Sequence, residues 1–139
     1  MKISVPKTVK VANDILSRLC HCHDGSLKKI SFVKDRALNE DGNLVYPSGD
    51  MKETAYCDVE VELLLNSYEG AKKDQVVVFT FKKTDCFNFR QAKGIDYSDI
   101  QEVKCDGSQN SRLEFRFYAG EARTEVISLT CQEVSCKEL

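Results

Sequence analysis

The chain has 139 residues and a mass of 15.7 kDa, with 42% hydrophobic and 30% charged residues, which is the composition of one folded domain. Seven glycines and two prolines exclude a collagen-like or Pro/Gly-rich low-complexity chain. Twenty basic against 22 acidic residues leave a net charge of −2, which argues against a general nucleic-acid binder; no apolar run approaches the ~18 residues of a membrane span, and Met1 to Lys7 lack the apolar core of a secretory signal.

Residues from about Lys7 to Cys20 read as a helix. Pro6 suits its start. Val9, Ala12, Leu16 and Leu19 recur at three or four residues, Ile15 widens the stripe, and polar residues cover the other side. Asp24-Gly25 is turn chemistry and stops it. A strand is expected over about Leu27 to Lys34, where Ile30 and Phe32 alternate with Lys29 and Ser31. Asp35 to Thr54 is polar, is punctuated by Gly42, Pro47 and Gly49, and reads as a hairpin tip or loop.

The clearest strand is Tyr56 to Leu65. Cys57, Val59, Val61, Leu63 and Leu65 take one face, while Asp58, Glu60 and Glu62 take the other. A polar connection, Asn66 to Asp74, leads to Gln75–Lys82, which is apolar on both faces and is expected to be a central strand. Cys86, Phe87 and Phe89 continue a short strand or bulge. Gln91 to Ser98 is a loop, and Tyr97 to Val103 a short strand or helical turn anchored by Ile100 and Val103. Asp106 to Asn110 is a strong turn between Ile100–Cys105 and Arg112–Tyr118, a hairpin. Glu125 to Cys131 is a further strand, Gln132-Glu133 a bulge, and Val134, Cys136 and Leu139 close the chain. The expected architecture is a mainly β, α+β domain: an antiparallel sandwich or strongly curved sheet of six to eight strands with one N-terminal helix.

Seven cysteines, an odd number without an export signal, point to free thiols in a reducing compartment. Cys20-His21-Cys22-His23-Asp24 concentrates metal-type ligands. Zinc pairs are usually spaced by two to four residues, and adjacent ligands strain the backbone around one ion. The plain reading has these residues end the helix, with Cys20 facing the core and His23-Asp24 making local turn hydrogen bonds. A Cys–His nucleophile needs a base within hydrogen-bond reach, which spacing does not show. Asp58, Glu60 and Glu62 read as a solvated strand face. Asp96, Tyr97, Asp99 and Glu102 form an acidic, aromatic segment of the kind that anchors a basic partner. No phosphate loop and no nucleophile elbow is present.

The order of an N-terminal helix, His23-Asp24-Gly25-Ser26-Leu27-Lys28-Lys29-Ile30, the Arg112-Leu113-Glu114-Phe115-Arg116-Phe117 strand and the closing Ile127-Ser128-Leu129-Thr130-Cys131 strand resembles small bacterial β-rich immunity proteins of polymorphic and contact-dependent toxin systems. The resemblance implies a cytoplasmic monomer or dimer that binds a cognate protein toxin, such as a nuclease, and masks its active site without catalysis. Neither nucleic acid, membrane nor cofactor is implied. Partner binding is then expected at Asp96, Tyr97, Asp99 and Glu102. The competing expectation is a small zinc-supported or thiol-dependent enzyme domain using Cys20, His21, Cys22 and His23.

Overall fold

The computed structural model describes residues 2–3, 8–46, 56–65 and 74–139. Pro6 and Lys7, the loop residues 47–55 and most of the Asn66–Asp74 connection lie outside them. Helix α1 covers Val9–Arg18. Thr8 caps it: its side chain accepts the Val11 N–H at 3.2 Å, satisfying one of the first turn's unpaired donors. Ala12, Ile15 and Leu16 are buried on one stripe, as their spacing requires.

The strands are β1 (Lys2–Ile3), β2 (Gly25–Val33), β3 (Ala37–Leu38), β4 (Leu44–Val45), β5 (Cys57–Leu65), β6 (Gln75–Phe89), β7 (Asp99–Gly107), β8 (Leu113–Ala119), β9 (Thr124–Cys131) and β10 (Glu133–Glu138). Among the described residues, β3 and β4 make a small hairpin, and the rest form one eight-stranded antiparallel sheet ordered β1-β10-β6-β5-β2-β7-β8-β9. Strand β9 also pairs with β6, so the sheet curls back on itself. Of the two expected architectures, the strongly curved sheet is the one adopted.

The long strand β6 makes this closure possible. Its first half lies between β5 and β10, from Glu133↔Lys82 to Glu138↔Val77 on the β10 side. Its end pairs with β9, from Asp85↔Thr130 to Phe89↔Ile127. Lys83 and Cys86 take left-handed backbone angles (φ 50° and 52°), and these irregularities bend the strand from one set of partners to the other. The β9–β10 junction bends with it at Gln132, whose N–H donates to the Lys82 carbonyl at 2.9 Å.

Curling puts one face of β5, β6, β7, β8 and β9 inside. Val59, Val61, Leu63, Val77, Phe79, Phe81, Val103, Phe115, Phe117 and Leu129 are all buried there. Phe81 stands at the centre, with the rings of Phe115 and Phe79 at 4.9 and 6.0 Å. Each such side chain is worth roughly 1.5–3 kcal/mol of burial. The outer alternation is polar: Glu60 and Glu62 lie opposite Ser31 and Lys29, and Asp58 pairs with Lys82 at 3.0 Å. That carboxylate trio is therefore the solvated face expected of it.

The curl is joined least at β2–β7, through Gly25↔Ile100 and Ser26↔Asp99. Gly25 is needed there, because a Cβ would stand 2.9 Å from the Cys22 carbonyl and 3.0 Å from Leu65. Beyond those pairs the two strands part. Helix α1 and the turn after it cover the exposed edge of β7. Asn13 donates from Nδ2 to the Cys105 carbonyl at 3.0 Å, and His23 Nδ1 lies 3.1 Å from the Gln101 carbonyl.

Arg112 ties the bend together from the start of β8. Its guanidinium donates to the Lys83 carbonyl, to Asp85 Oδ1 at 2.9 Å and to the Thr130 carbonyl at 3.3 Å. Thr130 also donates its hydroxyl to Asp85. The guanidinium carbon lies over the ring of Tyr56, 5.0 Å from its centroid.

Two expectations are corrected. Cys22, not Cys20, faces the core: it is 0% exposed, while Cys20 is half-buried. The reason is the left-handed backbone at Cys20, His21 and Cys22, which turns the chain inward after Leu19 instead of extending the helix to residue 20. His23 does not make only a local turn contact either, since its hydrogen bond reaches across to β7.

Candidate functional site

The turn Cys20–Asp24 and the segment Asp96–Glu102 are far apart in sequence, yet they meet in the fold. Strand β2 leaves the turn beside the start of β7, and Gln101 joins the two. Its side-chain amide donates to Asp99 Oδ1 at 2.7 Å and to Asp24 Oδ1 at 3.2 Å, while its carbonyl faces His23 Nδ1. A carbonyl only accepts, so Nδ1 carries the hydrogen and Nε2 is left toward Asp24, whose Oδ2 lies 3.6 Å away. The β7–β8 register shifts between Ile100 and Glu102. This bulge lets Ile100 and Val103 stay in the core while Gln101 and Glu102 both remain at the surface.

The four predicted partner-binding residues sit at this corner. Asp96 is exposed and accepts the Ser98 N–H at 3.0 Å and its hydroxyl at 2.6 Å. Those hydrogen bonds hold its carboxyl below the usual carboxylate range. Tyr97 is half-buried, and its ring meets Phe89 edge to face at 5.3 Å. Asp99 is held by Gln101. Glu102 accepts from Arg123 at 2.9 Å and has Lys104 at 3.9 Å. The acids thus share one corner, but local donors orient each of them.

Phe89 completes this corner; its sequence pattern places it on a strand with Phe87 but does not link it to the acidic segment. It is 43% exposed, because β6 runs on past the part of the sheet that covers it. The alternation Phe87-Asn88-Phe89 pointed to a strand; only the curl decides which phenyl is covered. Phe87 is half-buried and packs edge to face on the exposed Phe32 at 4.9 Å.

In the cysteine–histidine run Cys22 is buried and Cys20 half-buried. Burial pushes the Cys22 thiol far up, with Cys136 and Cys20 adding to it, whereas a nucleophilic or metal-binding sulfur needs the opposite shift. Among the described residues no group of three or more His, Cys, Asp or Glu side chains is placed to hold a metal ion. His23 serves instead to satisfy a carbonyl on the edge of β7.

A concavity of about 600 Å³ opens beside the start of β5 and the bend of β6, lined in part by Lys34, Tyr56, Asp58, Lys82 and Glu133. Lys34 donates to the Tyr56 carbonyl at 2.6 Å and Lys82 to Asp58 at 3.0 Å, so these cations are engaged within the fold. Among the described residues no helix is long and apolar enough to cross a membrane. Comparison with protein-family models, with curated proteins and with solved structures finds no match to this chain.

Proposed function

We propose that this chain is a partner-binding protein of the immunity type, which neutralises a cognate toxin domain by masking its active site in the cytoplasm. The observation that carries this reading is the pairing of Tyr97 with the exposed ring of Phe89 on the segment that bears Asp96, Asp99 and Glu102. An aromatic pair with one exposed ring, flanked by carboxylates, has the make-up of an interface: an apolar anchor with a charged rim. The carboxylates attract a basic surface such as that of a nuclease domain, and steer its approach. Local hydrogen bonds from Ser98 and Gln101 hold Asp96 and Asp99 in place, so less side-chain freedom is lost on binding.

The test is co-expression with the toxin domain encoded beside this gene, followed by measurement of the complex. Protection and a 1:1 complex are expected. Reversing both Asp96→Lys and Asp99→Lys should slow association by about tenfold at low salt, with little change at high salt. Phe89→Ala should speed dissociation. Failure to protect overturns the reading. Protection with unchanged affinity in both variants keeps the activity but moves the interface elsewhere.

A further inference from the structure

We propose that the free edge of β2, over Ile30–Val33, pairs with the same edge of a second copy of this chain. The two edges left where β2 and β7 part are treated differently. That of β7 is covered by Asn13 and His23. That of β2 carries protection only in its first half, where the register slips between Leu27 and Lys29 and two lysines stand. Over Ile30–Val33 there is no bulge, proline or lysine, and among the described residues β2 pairs on that stretch with β5 alone. The same stretch exposes Phe32 by 59% and Val33 by 48%. An apolar, unpaired edge is a template for another strand.

The pairing phase is fixed by the structure. Leu27 lies opposite Leu63, and its N–H points away from β5, donating to the Ser98 carbonyl at 2.8 Å. Ile30 and Phe32 lie opposite Val61 and Val59, which follow Leu63 at steps of two along β5. The amides of Ile30 and Phe32 therefore point to the free edge as well.

An antiparallel two-fold through Ser31 is self-complementary. Ile30 then faces Phe32 of the second copy on the inner, apolar side, and Phe32 faces Ile30 of the second copy. Ser31 meets its own copy, and Lys29 meets Val33, so no like charges are opposed. Hydrogen bonds run reciprocally between Ile30 and Phe32, giving the isologous contact of a closed dimer. This fits a second copy better than an unrelated strand, because one short sequence supplies both halves of the pattern.

The test is sedimentation velocity on the full chain between about 1 and 300 µM, with two variants. Phe32→Lys sets a cation against Ile30 on both sides and should raise the dissociation constant at least about tenfold, with unchanged circular dichroism. Ser31→Cys, in a Cys86→Ser background that removes the exposed thiol, should form a disulfide-linked dimer on mild oxidation. The facing Cα atoms would be about 4.5 Å apart, within disulfide reach. The background alone should stay uncrosslinked. A monomer across the whole range, or a dimer that Phe32→Lys leaves intact and Ser31→Cys does not trap, overturns the proposal.

Discussion

Arg112→Met tests whether one side chain holds the bend of β6. The arginine side chain is only 15% exposed and reaches acceptors on both strands of the bend, with Asp85 at 2.9 Å. The bond to the Asp85 carboxylate is worth roughly 1.5–3 kcal/mol, the two to the Lys83 and Thr130 carbonyls roughly 0.5–1.5 each, and the Tyr56 face adds about 0.5–1. Two effects reduce the loss. Asp85 is 35% exposed, so water rehydrates it. The methionine also keeps much of the packing of the arginine stem. The net cost is about 3 kcal/mol. With a urea slope near 1.5 kcal/mol/M for a chain of this size, the unfolding midpoint should fall by about 2 M. Arg112→Lys keeps the charge but not the planar fork, and should recover less than half of the loss. A midpoint lowered by less than about 0.5 M in Arg112→Met, or a lysine variant equal to wild type, would refute the assignment.

Gly25→Ala should cost about 1–3 kcal/mol in thermal unfolding, because the added methyl meets the Cys22 carbonyl at 2.9 Å; a neutral result would show that the β2–β7 junction gives way. His21→Gly should stabilise by up to about 1 kcal/mol, since His21 holds φ 52° without a side-chain need for it, and a loss of stability would count against strain there. Stability should fall as pH rises above 9. Burial pushes Cys105, Cys131 and Cys136 to about 12, and Cys22 upward too, so the unfolded chain releases thiol protons first. Each such thiol contributes about 1.4 kcal/mol per pH unit between 9 and its folded value, and a flat urea midpoint from pH 8 to 10 would contradict this. A thiol reagent should correspondingly modify Cys86 first and the buried four only on unfolding. Asp96 runs the other way: its carboxyl is depressed, so its contribution is present above 3.8 and lost as pH falls through the folded value. Ser98→Ala removes the hydroxyl but keeps the backbone N–H bond, so it should move the Asp96 NMR titration only part of the way up toward the ordinary range, and an unmoved titration would show that the hydroxyl is not a cause.

Local pattern in the sequence determined a good deal. The alternation of Val59, Val61, Leu63 and Leu65 against Asp58, Glu60 and Glu62 set both the strand and its buried face, because a period of two allows no other half-buried arrangement. The stripe of Ala12, Ile15 and Leu16 set the helix in the same way, and the Asp106–Asn110 turn set the β7–β8 hairpin. What only the tertiary structure decided are the relations between distant segments. Propensity does not show that one strand, bent at Lys83 and Cys86, serves two sets of partners, since β-branched and aromatic residues suit either half alike. Nor does it show that Asp24 and Asp99 share Gln101, that His23 caps an edge of β7, or that Phe89 stays uncovered beside Tyr97. Those facts follow from closing the sheet. Where it closes, polar edges find partners; where it parts, along the second half of β2, Phe32 and Val33 are left facing solvent.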